Sequence, residues 1–244
     1  MRNAGRLLVL DVDGVMIDPC GSFEHCVAMG LKEMAPGLDW SSDMFWKFKR
    51  MPGFNNDFRL TAAAIALFEA GNMSLLSEPD TTGLPSMEKR INELEPLCAE
   101  RLQAIYHNVK HLERPLITKP ELEAILDWDL AILTGRLPEE VAMAFEVLGF
   151  ELPFVCDSCT EFRKPKPGGL IHLADTFKAT RIFFVGDTRD DATCLRDARK
   201  LRPDLDLTFV AVNRLRNEII QPGDLSFATL RAFLASGKLG CTNS

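Results

Sequence analysis

The sequence predicts an α/β protein, a parallel sheet with helices on both faces, opened after its first strand by an inserted helical region. Three observations predict it. Continuous apolar runs at Arg6–Asp11, Leu130–Leu133, Pro153–Val155, Arg181–Val185 and Leu207–Val212 have the composition of strands buried on both faces. Segments with helical spacing alternate with the later runs, and parallel neighbours need such crossovers. The stretch from Pro19 to His111 has helical patterns and no convincing strand run.

The elements follow in order. The first strand ends abruptly at Asp11. In the inserted stretch, Phe23, Cys26, Val27 and Met34 recur at helical spacing, as do Leu60, Ala63, Ala64, Leu67 and Phe68. Met87, Ile91, Leu94, Cys98, Leu102 and Ile105 mark a longer charged helix, which Pro96 is expected to kink or split. Ser77 to Ser86 reads as a connecting loop. After the insertion, Glu121 to Asp127 presents Leu122, Ile125 and Leu126 on one face. Pro138 followed by two glutamates suits a helix N-terminus, and Gly149 suits its end. Helices at Gly168–Phe177 and Asp191–Leu201 complete the alternation, and the tail from Ser236 to Ser244 is expected to fray.

Composition narrows the function. The chain has 244 residues and a net charge of −7, with 46% apolar and 26% charged residues, which fits a globular protein with a sizeable core. An acidic balance argues against nucleic acid as a partner. The only early apolar stretch, Leu7 to Leu10, is too short for a signal peptide or a membrane helix, so a cytoplasmic location without membrane contact is expected. The seven cysteines (20, 26, 98, 156, 159, 194 and 241) read as free thiols. A lone pair at Cys156 and Cys159 is expected to be structural, because the histidines at 25, 107, 111 and 172 do not complete a zinc site.

Chemistry concentrates at strand ends, where ligands bind in open parallel sheets. Asp11-Val12-Asp13-Gly14-Val15 follows the first strand and Gly186-Asp187-Thr188-Arg189-Asp190-Asp191 the fourth. If those strands are neighbours, Asp11, Asp13, Asp187 and Asp191 converge. Two carboxylates ~4 Å apart repel by about 4 kcal/mol at an effective dielectric of ~20, so the cluster calls for a cation. All donors are hard oxygens, which suits Mg²⁺ and not Zn²⁺. Thr134 and Gly135, in Leu133-Thr134-Gly135-Arg136, offer a hydroxyl and an unhindered amide to a phosphate. Arg163-Lys164-Pro165-Lys166-Pro167-Gly168 supplies cations on a proline-bounded loop.

These motifs resemble those of the haloacid dehalogenase superfamily of phosphohydrolases. The correspondence runs through DxDGV at Asp11 to Val15, Thr134, KPxP at Lys164 to Pro167 and GDxxxD at Gly186 to Asp191. The resemblance implies a Rossmann-like core with strand order 5-4-1-2-3 and an inserted α-helical cap domain. The 27 residues between Arg136 and Lys164 are too few for a cap, whereas the 93 from Pro19 to His111 suffice. Expected domains are therefore a catalytic core of residues 1–18 and 112–244 and a cap of residues 19–111.

Carried over residue by residue, the resemblance makes Asp11 the nucleophile and Asp13 the general acid and base. Thr134, Gly135 and Lys164 bind the phosphoryl group, and Asp11, the backbone carbonyl of Asp13, Asp187 and Asp191 hold Mg²⁺. KPxP favours Lys164 over Lys166. The implied activity is a Mg²⁺-dependent phosphatase acting on a small phosphorylated metabolite through an aspartyl-phosphate. Asp13 favours phosphoryl chemistry over dehalogenation, because the dehalogenases lack that second acid. A phosphomutase or phosphonatase on the same core, or a non-catalytic binding module, are the alternatives. In the cap, Pro52-Gly53-Phe54-Asn55-Asn56-Asp57 precedes a helix; Asn55, Asn56 and Asp57 read as a helix cap or as a substrate-facing loop. The stretch Leu195 to Pro203 departs from the small-residue helix usual after GDxxxD, away from the proposed chemistry.

Overall fold

A computed structural model describes residues 5–19, 21–51, 53–72, 74–75, 84–125, 127–157, 159–213 and 216–240. Cys20, Pro52, Leu126, Cys241 and most of the loop expected at 77–86 lie outside them. The chain forms two compact units, Met1–Asp18 with Arg114–Ser244, and Pro19–Glu113.

In the first unit, strand β1 (Arg6–Leu10) leads to a tight turn and then to the short β2 (Ile17–Asp18). The second unit contributes α1 (Phe23–Met34), α2 (Ser42–Lys49), α3 (Asp57–Glu69) and α4 (Glu88–Val109). The chain returns through β3 (Arg114–Pro115), α5 (Lys119–Glu123), β4 (Asp129–Leu133), α6 (Pro138–Leu148) and β5 (Phe154–Val155). It ends with α7 (Gly168–Phe177), β6 (Arg181–Gly186), α8 (Arg189–Leu201), β7 (Asp206–Ala211), α9 (Arg216–Ile219), β8 (Leu225–Ser226) and α10 (Leu230–Ala235).

The main sheet has the order β5-β4-β1-β6-β7-β8, and every adjacent pair is parallel. β1 lies between β4 and β6, with Leu8 opposite Leu130 on one side and Phe183 on the other. Its side chains alternate between two cores because strand periodicity is two. Leu7 and Val9 pack with Leu170, Leu173 and Leu195 of α7 and α8. Leu8 and Leu10 pack with Leu122, Leu148 and Phe233 of α5, α6 and α10. All four are fully buried, so truncating any one to alanine costs about 2–5 kcal/mol. The five runs read from sequence are all strands, and β8 adds a sixth at the edge. With two residues, β8 carries no periodic signal.

Two local expectations change. Of the kink or split expected at Pro96, the split does not occur, because α4 runs unbroken from Glu88 to Val109. Leu94, Cys98 and Leu102 are buried on either side of the proline, and that packing outweighs the missing amide. The tail is not frayed from Ser236. Leu239 is buried, and its carbonyl accepts a 3.1 Å bond from the Trp128 indole N–H.

Within the second unit, α3 is rich in alanine and buried along Leu60 to Leu67. Small side chains let neighbouring helices approach closely, and alanine favours the helix itself. Arg59 ties α3 to α4 through a two-pronged 2.8 Å contact with Glu88. At the unit's two ends, Ser22 and Tyr106 both donate 2.9 Å bonds to the Glu113 carboxylate. Among the described residues no helix is long and apolar enough to cross a membrane.

Candidate active site

The site grows from the carboxyl end of β1. The Asp11 amide still belongs to the sheet, donating to the Val185 carbonyl at 3.0 Å. The chain then coils back on itself, with the Met16 and Ile17 amides donating to the Val12 carbonyl. Gly14 makes this turn possible at φ +71°, in the region that favours glycine. A Cβ there would lie 2.0 Å from Asp187 Oδ2, so the missing side chain also makes room for Asp187.

β6 neighbours β1 and delivers the other acids. Asp187 follows the strand, and Asp191 sits in the first turn of α8. Thr188 caps α8, and the Asp191 carboxylate returns to the Thr188 amide at 3.0 Å and hydroxyl at 2.7 Å. This reciprocal box fixes the Asp191 side chain. Gly186 leaves space for it, since a Cβ there would fall 2.5 Å from the Asp191 Cβ. One carboxylate oxygen from each of Asp11, Asp187 and Asp191 lies within 4.8 Å of the others.

Lys164 stands among them. Its side chain is 2% exposed, and Nζ lies 2.9 Å from Asp11 Oδ1 and 2.6 Å from Asp191 Oδ1. Burial opposes the ammonium charge, but Asp11 and Asp191 more than offset it and raise the Lys164 pKa. Burial pushes Asp11 up to about 7, against the pull of Lys164 and with the added repulsion of Asp191 and Asp13. Lost solvation, followed by the charges of Asp11 and Asp191, holds Asp187 well above the usual carboxylate range. Three carboxyl groups thus crowd around one ammonium. Lys166, in contrast, is half exposed, and among the described residues its ammonium pairs with Glu161.

β4 flanks β1 on the other side and is followed by Thr134, whose amide donates to the Val155 carbonyl. Gly135 is exposed, and a Cβ there would meet nothing within 4 Å. Arg136 is buried and forks onto Asp13, with Nη2 2.7 Å from Oδ1 and Nε 3.1 Å from Oδ2. Arg136 stands beside the Thr134–Gly135 corner in the sequence, and no local signal marks its role, because its partner lies 123 residues away.

The first unit therefore brings Asp11, Asp187, Asp191 and Lys164 into one cluster, with Asp13, Thr134 and Gly135 at the same strand ends. Asn55, Asn56 and Asp57 belong to the second unit. The Asn56 side chain caps α3 through Phe58 and Arg59 amides at 2.8 and 3.2 Å. Asp57 pairs with Lys49 at 2.7 Å, and the Lys49 ammonium also donates to the Asn55 carbonyl. Among the described residues the Asn55 carboxamide makes no hydrogen bond. Cys156 is buried and Cys159 is exposed.

Comparison with known proteins agrees with this geometry. The family of haloacid dehalogenase-like hydrolases matches residues 6–199. No curated protein matches the chain. The fold is similar to that of phosphatase Tt82 from Thermococcus thioreducens, with TM-score 0.64 and 21% identity over 97% of this chain and 100% of that one. A hydrolase from Pseudomonas syringae aligns with TM-score 0.65 and 18% identity, over 95% and 97% of the two chains. A predicted phosphoglycolate phosphatase from Haemophilus somnus 129pt gives 0.66 and 17%, again over 95% and 97%. At such identities the likeness is one of fold. The family match includes Asp11, Asp13, Thr134, Lys164, Asp187 and Asp191, and the chain belongs to the haloacid dehalogenase-like hydrolases.

Proposed function

We propose that the chain is a Mg²⁺-dependent phosphohydrolase that releases phosphate from a small phosphorylated metabolite through an aspartyl-phosphate on Asp11. The observation that carries this reading is the meeting of Asp11, Asp187 and Asp191 oxygens within 4.8 Å beside a buried lysine. The donor set fits a hard divalent cation: it is all oxygen, and three carboxyl groups meet within one cluster. The carboxylates of Asp11, Asp187 and Asp191 and the backbone carbonyl of Asp13 are its holders. Bound there, Mg²⁺ offsets charge so that an anionic nucleophile can approach an anionic phosphate.

The chain's own residues do the rest. An Asp11 oxygen attacks phosphorus, a P–O bond forms, and the bond to the leaving oxygen breaks. Asp13 gives that oxygen a proton. Water then attacks the phosphoryl group on Asp11, Asp13 takes the water's proton, and inorganic phosphate leaves with Asp11 regenerated. Lys164 and the Thr134–Gly135 corner bind the phosphoryl oxygens, and Lys164 keeps its charge because two acids face it. The helical second unit is proposed as the cap that sets the leaving group, with Asn55, Asn56 and Asp57 in its candidate loop. A cytoplasmic location is part of the proposal. Small metabolites, not nucleic acid or membrane, are the proposed partners.

A panel of phosphorylated metabolites, assayed for phosphate release with Mg²⁺ and with EDTA, tests the proposal. Asp11→Asn is expected to abolish release. Normal turnover in that variant, or hydrolysis indifferent to EDTA, would overturn it.

A further inference from the structure

We infer that Arg136 is a positioning residue that sets the plane and rotamer of the Asp13 carboxylate for its proton transfers. The inference rests on the phosphohydrolase reading.

Arg136 is held at every polar group the structure records. Its amide donates to the Thr134 hydroxyl at 3.2 Å, and its carbonyl accepts from the Asp157 amide at 3.1 Å. Nη1 donates to the Glu140 carbonyl at 3.3 Å, in the first turn of α6. Nε and Nη2 remain, and both point at Asp13. The Arg136 side chain is 1% exposed, whereas that of Asp13 is 32% exposed. A rigid, buried fork therefore grips a carboxylate that still faces solvent.

The grip has a chemical consequence. A carboxylate offers about four lone-pair directions, and a two-pronged guanidinium takes two of them. Among the described residues the other two take no hydrogen bond, and the Asp13 side chain is 32% exposed, so a water or a leaving oxygen can approach it. Without the fork, Asp13 is a turn side chain free to rotate among staggered wells. Proton transfer is sensitive to such freedom, since misplacement by ~1 Å costs about 10²-fold in rate. Lysine at 136 would keep the charge but lose the planar fork.

Because Arg136 acts through Asp13, the two residues must behave as a unit. Steady-state hydrolysis of an alkyl phosphate and of p-nitrophenyl phosphate, with Mg²⁺, compares wild type, Arg136→Gln, Arg136→Lys, Asp13→Asn and the Asp13→Asn/Arg136→Gln double variant. Arg136→Gln is expected to lower kcat on the alkyl ester roughly 10–100-fold with KM little changed. The loss is smaller on p-nitrophenyl phosphate, whose leaving group needs no proton, and Arg136→Lys falls in between. The double variant is expected to be no slower than Asp13→Asn alone. Thermal unfolding supplies a second readout: the paired substitutions lower Tm by less than the sum of the single ones.

Multiplying losses in the double variant, or a wild-type kcat in Arg136→Gln, overturns the inference while leaving the phosphohydrolase reading intact. A wild-type protein inactive on both esters overturns that reading and this role with it. Additive Tm losses overturn the pairing itself, whatever the activity.

Discussion

Gly14→Ala probes the turn and the acid cluster together. Two costs follow from the structure. At φ +71° an alanine backbone is strained by about 1–2 kcal/mol. The new methyl would also lie 2.0 Å from Asp187 Oδ2, 2.6 Å from its Cγ and 3.0 Å from Asn213 Nδ2. Relieving that overlap moves the carboxylate or the turn, at about 1–3 kcal/mol. The sum is roughly 2–5 kcal/mol. At about 2–4 °C per kcal/mol for a domain of 150–250 residues, Tm falls by roughly 4–20 °C. Displacing Asp187 also removes one of the proposed cation ligands, so the stabilisation that Mg²⁺ gives the wild type shrinks in the variant. Differential scanning calorimetry with Mg²⁺ and with EDTA reads both effects. Gly135→Ala is the control, because nothing lies within 4 Å of its added methyl and its stability should change by no more than about 0.5 kcal/mol. A Gly14→Ala protein that melts with the wild type and keeps the full Mg²⁺ response would refute the reasoning.

Two other substitutions test the electrostatics. Lys164→Met leaves Asp11 and Asp191 buried without their ammonium, and urea unfolding in EDTA should show a loss of about 3–5 kcal/mol; an unchanged midpoint would mean that the acids are solvated after all. Burial pushes Glu140 up to about 7, against the pull of the Leu137 amide and Arg136, so the folded protein holds a proton there that the unfolded chain releases near pH 4.5. Its contribution to stability is therefore highest below pH 4.5 and falls as pH rises toward 7, by at most about 1.4 kcal/mol per unit. Glu140→Gln should flatten that fall in unfolding free energies measured between pH 5 and 7, and a slope identical to wild type would sink the assignment.

What could be read from the sequence depended on how locally each feature is encoded. β1, β4, β6 and β7 announce themselves as apolar runs because both of their faces are covered. Asp11 and Asp187 were found for the same reason, as charges placed where those runs stop. The two-residue strands β2, β3 and β8 have neither run nor period to detect, and their existence depends on neighbours far along the chain, whereas β5 is equally short but lies in the apolar run Pro153–Val155. Pro96 shows tertiary packing overriding a local rule, and Leu239 shows an apolar side chain anchoring a tail that composition marks as loose. The choice between Lys164 and Lys166 rested on motif spacing; their separation by burial is a property of the folded loop. Arg136 could be seen in the sequence, but nothing local says that a guanidinium at 136 meets a carboxylate at 13.

The small antiparallel ribbon of β2 and β3 has a consequence for how such a chain can change. Ile17 faces Pro115 and Asp18 faces Arg114, so residues 19–113 begin and end roughly 5 Å apart, one ladder spacing. Closing a loop of any length across that gap adds little entropy cost, since the ends are already tied and the penalty grows only logarithmically with length. Replacing the excursion with a shorter, longer or unrelated one leaves each register of the large sheet as it stands. On the proposed reading of residues 19–113 as a cap, leaving-group contacts can thus be exchanged at one pair of junctions while the acids at the ends of β1 and β6 stay where they are.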